Sequence, residues 1–144
     1  VLMGTSTAGI AHAALVADIL NKPMGYVRGS NKSHGRQNRI EGVVREGMKV
    51  VVVEDLISTG GSSLEVVDAL REAGCEVLGL VAIFTYGLKD SIKNFADKDC
   101  HFVTLSNYDA LLPVAVEHNY IKEEALEKLK AWKVDPHDES WTIK

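Results

Sequence analysis

The chain has 144 residues, 46% of them hydrophobic and 25% charged, with a formal net charge of −4. That is enough for one domain with a real core, expected to span residues 1–144, and the mild negative charge argues against non-specific binding to nucleic acid or an anionic membrane. There is no apolar run long enough for a membrane span and no signal-peptide pattern; Cys75 and Cys100 lack metal-ligand spacing, so a reduced cytoplasmic protein with two unpaired thiols is expected.

Val1-Leu2-Met3 reads as a short strand. It begins as though already inside a strand, with no initiator methionine, so an N-terminal portion is expected to precede it. Gly4-Thr5-Ser6-Thr7-Ala8-Gly9 is a Gly- and hydroxyl-rich turn that opens a helix from Ile10 to about Leu20. Asn21-Lys22-Pro23 ends that helix, because proline cannot continue it. Met24 to Val27 is the next short strand.

Arg28 to Arg39 contains no apolar residue and carries four cationic side chains. A loop this long inside a compact domain is a functional lid, with Gly29 and Gly35 as hinges, or a solvated surface loop without catalytic use. Ile40 to Val44 is expected to form a strand pairing with the following apolar run through the turn Arg45-Glu46-Gly47.

Lys49 to Ser63 organises the chain. Val50 to Val53 are four consecutive valines, which cannot alternate between oil and water, so they predict a strand buried on both sides. Glu54 and Asp55 follow at its end, then Ser58-Thr59-Gly60-Gly61-Ser62-Ser63, then a helical pattern from Leu64. Carboxyl ends of parallel strands are where open α/β sheets bind ligands. The glycines let successive N–H groups face one point, and the helix start adds unpaired N–H groups and the positive end of its dipole. That chemistry suits phosphate. The two carboxylates would repel phosphate and suit neutral hydroxyls or a cation, so a sugar phosphate fits both halves. The bland alternative is a buried strand ending in an ordinary capped helix.

Beyond it, the helix ends at Ala73 with Gly74 as cap. Glu76 to Phe84 reads as another buried strand, and Leu88 to Lys98 as an amphipathic helix with Ile92 and Phe95 inward. His101 to Leu105 is a last strand. Tyr108 to His118 and Lys122 to Trp132 are two helices. Strands alternating with helices indicate a mainly parallel sheet flanked by helices, an α/β fold. His12 in its alanine-rich helix, Trp132 and Cys75 read as structural residues.

Val50 to Ser63 resembles the phosphoribosyl pyrophosphate (PRPP) motif of the type I phosphoribosyltransferases: a hydrophobic run, two acids, and a Thr/Ser- and Gly-rich loop. The resemblance covers nearly the whole chain and narrows to the orotate phosphoribosyltransferases. Tyr26-Val27-Arg28 through Lys32-Ser33-His34-Gly35 to Ile40-Glu41-Gly42 is similar to their catalytic loop. Ala82 to Gly87 and Leu105-Ser106-Asn107-Tyr108 resemble one bacterial branch.

The resemblance implies a Rossmann-like fold and transfer of the phosphoribosyl group of PRPP to orotate in pyrimidine (UMP) biosynthesis, with Mg²⁺ bound mainly through PRPP near Glu54 and Asp55. It implies that Glu54 and Asp55 hold the ribose hydroxyls, and that Ser58, Thr59, Gly60, Gly61 and Ser62 cradle the 5′-phosphate, with Ser58 placed to face orotate as well. It implies that Arg28, Lys32 and His34 meet pyrophosphate. The stretch from Thr5 to Gly9, with Ser6 and Thr7, resembles the family's pyrophosphate-binding turn, where this fold often holds a non-proline cis peptide. Lys32, His34 and Asp55 are the catalytic candidates. A homodimer is implied, with the Arg28–Glu41 loop reaching the partner's site. Gly29, Ser33, Ala8 and Thr85-Tyr86 depart from residues common in the family, and the orotate-covering N-terminal segment of the family is expected to be absent. A chain without it is expected to bind PRPP with Mg²⁺ yet turn orotate over poorly or not at all. The alternatives are a PRPP-binding regulatory module and a phosphoribosyltransferase for another nucleobase.

Overall fold

The computed structural model describes residues 1–29 and 39–138. Lys32, Ser33, His34 and Gly35 lie outside the described residues. The strands are β1 (Leu2–Thr5), β2 (Met24–Val27), β3 (Ile40–Glu41), β4 (Lys49–Ile57), β5 (Glu76–Thr85) and β6 (Phe102–Asn107). The helices are α1 (Ala8–Leu20), α2 (Gly61–Glu72), α3 (Lys89–Asp97), α4 (Tyr108–Glu117) and α5 (Leu126–Val134), with a 3₁₀ turn at Glu123–Ala125. The strands form one sheet in the order β3-β2-β1-β4-β5-β6, and every pairing is parallel except that of β2 with β3.

The valine run explains the layering. Side chains alternate along a strand, so Val50 and Val52 enter the core under α2 and α3, together with Met3, Leu80 and Phe95. Val51 and Val53 turn to the opposite face and meet α1 through Ala13 and Ala17. The small alanines bring α1 close to the sheet, and Asn21 ends it in the left-handed conformation (φ 49°), which asparagine tolerates.

Three expectations are corrected. Residues 40–44 do not pair with the valine run. Only Ile40 and Glu41 form a strand, and it lies antiparallel to β2 at the far edge, with Val27 opposite Ile40 and Tyr26 opposite Glu41. The chain on either side of the cationic loop closes on itself: the Arg28 N–H donates to the Arg39 carbonyl at 2.8 Å. Second, β5 is buried on one face only. α1 covers β1, β2 and β4, so Val81, Ile83, Val103 and Leu105 stay exposed beside it. With Leu15 and Val16 they line a shallow apolar groove of about 430 Å³. Third, Ile92 faces outward at 59% exposure. The buried stripe of α3 runs one position away, through Leu88, Ser91 and Phe95, and the Ser91 hydroxyl folds back to donate to the Leu88 carbonyl at 2.7 Å.

Among the described residues no helix is long and apolar enough to cross a membrane. Cys75 and Cys100 are buried free thiols.

The strand order places the site. From β1 the chain moves outward to β2, and from β4 it moves the opposite way to β5 and β6. The crevice beyond the carboxyl ends of β1 and β4 is therefore the topological switch point, where the flanking connections diverge and leave room for a ligand.

Candidate active site at the switch point

Glu54 and Asp55 stand near the end of β4, and Thr5 ends β1 beside them, following the register Gly4 opposite Val53. Glu54 is 7% exposed. Its Oε1 accepts from the Thr5 hydroxyl at 2.5 Å and from the Asp55 N–H at 3.0 Å, and its Oε2 accepts from the Ser63 hydroxyl at 2.9 Å. Burial, and then the neighbouring Asp55 carboxyl, push the Glu54 pKa above its ordinary value; the hydroxyls of Thr5 and Ser63 and the Asp55 N–H oppose that rise by stabilising the charged form. Glu54 thus ties together β1, β4 and α2. Asp55 is half-buried and turns to the cleft.

The cleft measures about 240 Å³, and Thr5, Ser6, Thr7, Glu54, Asp55 and Ser62 all line it. One site therefore contains the expected acids, the hydroxyl turn after β1 and the start of α2. Ser58, Thr59 and Gly60 form the turn that leads into α2 at Gly61; none of these four residues lines the cleft, which the helix start reaches through Ser62. Gly60 is the residue before α2, at φ 83° and ψ 0°, and no side chain caps the helix. The first-turn N–H groups are left for an incoming anion. The Ser6–Thr7 peptide is cis, at the turn where the family resemblance places one. The Ser6 hydroxyl accepts from the Gly29 N–H at 2.9 Å, which joins this turn to the entry of the cationic loop.

Not every candidate converges. The Arg28 guanidinium reaches Glu41 at 3.2 Å on the hairpin edge and does not line the cleft. Thr85 and Tyr86 point to packing. The Thr85 hydroxyl donates to the Ile57 carbonyl at 3.2 Å. The Tyr86 ring packs edge-on to Phe84, Tyr108 and Trp132, with centroids 5.6, 5.9 and 5.2 Å away. Trp132 is a packing residue, as expected.

Two contributors, Arg39 and Asn94, escape the sequence reading, and two residues it did name, Ser63 and Phe95, make contacts it did not foresee. Arg39 lines the cleft and lies 3.8 Å from Glu65 of α2; it is the one cationic side chain among the described lining residues. Its place at the end of a cationic loop was a usable signal. Ser63 was in the motif, but its bond to a buried carboxylate could not be read from spacing. Asn94 and Phe95 come from α3, distant in sequence. The Asn94 side-chain amide donates to the Thr59 carbonyl at 3.0 Å, and the Phe95 ring lies against Gly60.

The family described as Phosphoribosyl transferase domain matches residues 1–119. The chain belongs to the phosphoribosyltransferase family. The orotate phosphoribosyltransferase of Bacillus pumilus is 60% identical over 141 residues, which is 98% of this chain and 66% of that protein. The orotate phosphoribosyltransferase of Bacillus subtilis is 54% identical over 140 residues, 97% of this chain and 65% of that protein. The chain thus spans just under two thirds of the length of these relatives. Among solved structures, orotate phosphoribosyltransferase from Aeropyrum pernix superposes with a TM-score of 0.71 at 28% identity, over 83% of this chain and 65% of that one. The mostly parallel sheet flanked by helices is therefore the type I phosphoribosyltransferase fold, as the PRPP-like motif implied.

Proposed function

We propose that this chain is the PRPP-binding core of an orotate phosphoribosyltransferase of the cytoplasm. The observation that carries the reading is the pairing, in one cleft, of the Asp55 carboxylate with an uncapped helix start and a second hydroxyl-lined turn. PRPP carries a 5′-phosphate and a separate pyrophosphate on a ribose with free hydroxyls, and this cleft offers a counterpart to each part. The relatives' names supply the base, orotate.

In this reading the N–H groups and hydroxyls of residues 58–62 hold the 5′-phosphate. Asp55 accepts from the ribose hydroxyls. Glu54 already accepts three hydrogen bonds, and a carboxylate has about four lone-pair sites, so it has room for one more from the sugar. The turn Thr5–Thr7, with Lys32 and His34 from the loop, meets the pyrophosphate; Arg28, paired with Glu41 outside the cleft, would have to leave that contact to join them. The bond from ribose C1′ to the pyrophosphate oxygen breaks and a bond to the base nitrogen forms. Positive charge develops on the sugar and negative charge on the leaving group, so fixed dipoles and charges do most of the work. His34 can donate a proton or hydrogen bond to the leaving oxygens, and Lys32 supplies a mobile cation.

Mg²⁺ fits this donor set as a substrate-borne ion. Among the described residues no group of three or more His, Cys, Asp or Glu side chains could hold a metal; Mg²⁺ would be held mainly through the oxygens of PRPP, near Glu54 and Asp55. When bound it neutralises phosphate charge. The loop is proposed to act in a homodimer, reaching the partner's site.

The test is turnover with PRPP and Mg²⁺ by the full-length enzyme that contains this chain, offering orotate, adenine, hypoxanthine and uracil separately. The reading expects loss of orotate absorbance with one pyrophosphate released per orotate consumed. Turnover on another base would overturn the substrate assignment, and tight PRPP binding without turnover on any base would point to a regulatory module.

A further inference from the structure

The loop 58–61 is fixed from outside itself. No side chain caps α2, and the N–H groups of Gly60 and Gly61 donate to no described residue. The fixing contacts come instead from α3. Asn94 Nδ2 donates to the Thr59 carbonyl at 3.0 Å. One residue on, the Phe95 ring is packed so closely on Gly60 that a Cβ there would lie 2.5 Å from Phe95 Cε2. α3 is itself anchored to α2: the Arg71 guanidinium donates to the carbonyls of Lys98 and Asp99 at 2.6 and 2.9 Å, and Lys98 pairs with Asp68 at 2.7 Å.

The consequence follows from peptide geometry. In a planar trans peptide the C=O and the N–H point in opposite directions. Holding the Thr59 carbonyl toward α3 therefore aims the Gly60 N–H away from α3. Were that peptide to rotate, a carbonyl oxygen would replace the N–H in the loop's inward direction, and its partial negative charge would repel a phosphate. Gly60, lacking a side chain, has the backbone freedom that makes such a rotation possible.

We infer that Asn94 is a positioning residue that keeps the Thr59–Gly60 peptide turned with its N–H toward the bound phosphate, while Phe95 limits the loop's depth. The inference rests on reading residues 58–62 as the phosphate cradle. It assigns to α3, a surface helix, a part in phosphate affinity although it touches no substrate.

Ribose 5-phosphate is the probe, because it reports on the cradle without needing the base. Calorimetric titration of the wild-type chain, Asn94→Ala and Asn94→Asp gives the affinities, thermal unfolding gives the stabilities, and the Gly60 amide resonance reports the peptide's setting. Both substitutions remove the donor, and the aspartate keeps the shape. Each should weaken binding roughly three- to tenfold, the worth of one hydrogen bond. Tm should stay within about 2 °C, as for surface substitutions, and the Gly60 amide should shift before ligand is added. Weakening of less than about threefold, or weakening matched by a large fall in Tm, would overturn the inference. A wild-type chain that binds no ribose 5-phosphate would instead sink the cradle reading itself.

Discussion

Replacing Gly60 by alanine tests the phosphate loop and its brace together. Gly60 sits at φ 83°, a conformation that costs a non-glycine residue roughly 1–2 kcal/mol. The new Cβ would also lie 2.5 and 3.0 Å from two carbons of the Phe95 ring. That ring is 2% exposed and its centroid lies 4.5 Å from that of Phe102, so it has little room to retreat. Overpacking of this kind costs about 1–3 kcal/mol. The expected total is about 2–5 kcal/mol, or roughly 5–15 °C in Tm for a domain of this size. Gly47→Ala is the control: φ there is 76° and nothing lies within 4 Å of an added Cβ, so only the backbone cost applies. Urea unfolding of both variants should place Gly60→Ala at least about 1 kcal/mol below Gly47→Ala. Equal losses in the two variants would refute the claim that Phe95 bears on the loop.

Glu54→Gln removes the buried acid. Because the folded state raises the Glu54 pKa, wild-type Glu54 binds more protons folded than unfolded, and its contribution to stability falls as pH rises through the folded pKa. The stability of Glu54→Gln relative to wild type should therefore improve from pH 4 to pH 8; a flat difference would show that burial does not perturb Glu54. Asp55→Asn keeps shape and removes charge, and phosphoribosyl transfer should fall about ten- to a thousandfold with Tm unchanged; unaltered kinetics in the full-length enzyme would remove Asp55 from the site. In the full-length enzyme, mixing inactive Asp55→Asn with an inactive Lys32→Ala/His34→Ala variant should restore roughly a quarter of native activity if the loop serves the partner's site, because unbiased exchange makes half the dimers mixed, each with one intact site. Verified mixed dimers without activity would place the loop on its own site.

The fold and the acid–hydroxyl site were legible where the signal was local. Val50 to Val53 announced a strand buried on both faces, and the carboxylates, hydroxyls and glycines after it marked a ligand site at its carboxyl end. Partnerships across the sheet were less legible. Residues 40–44 have strand-like composition, but whether they pair with the next strand or fold back on the previous one depends on where the intervening loop closes. The exposed face of β5 is invisible because Val81 and Ile83 have the composition of a covered strand, and only the reach of α1 decides what is covered. Ile92 differs from a core position by one residue of helical phase. Asn94, Phe95 and Ser63 act through contacts made by tertiary packing, which no spacing encodes.

The most direct test of the central claim is a crystal structure of this chain with PRPP and Mg²⁺ bound. The account predicts the 5′-phosphate on the N–H groups of Gly60, Gly61 and Ser62, the ribose hydroxyls on Asp55, and the pyrophosphate against Thr5–Thr7. A 5′-phosphate seated on Thr5–Thr7, or PRPP bound away from the β1–β4 crevice, would contradict it.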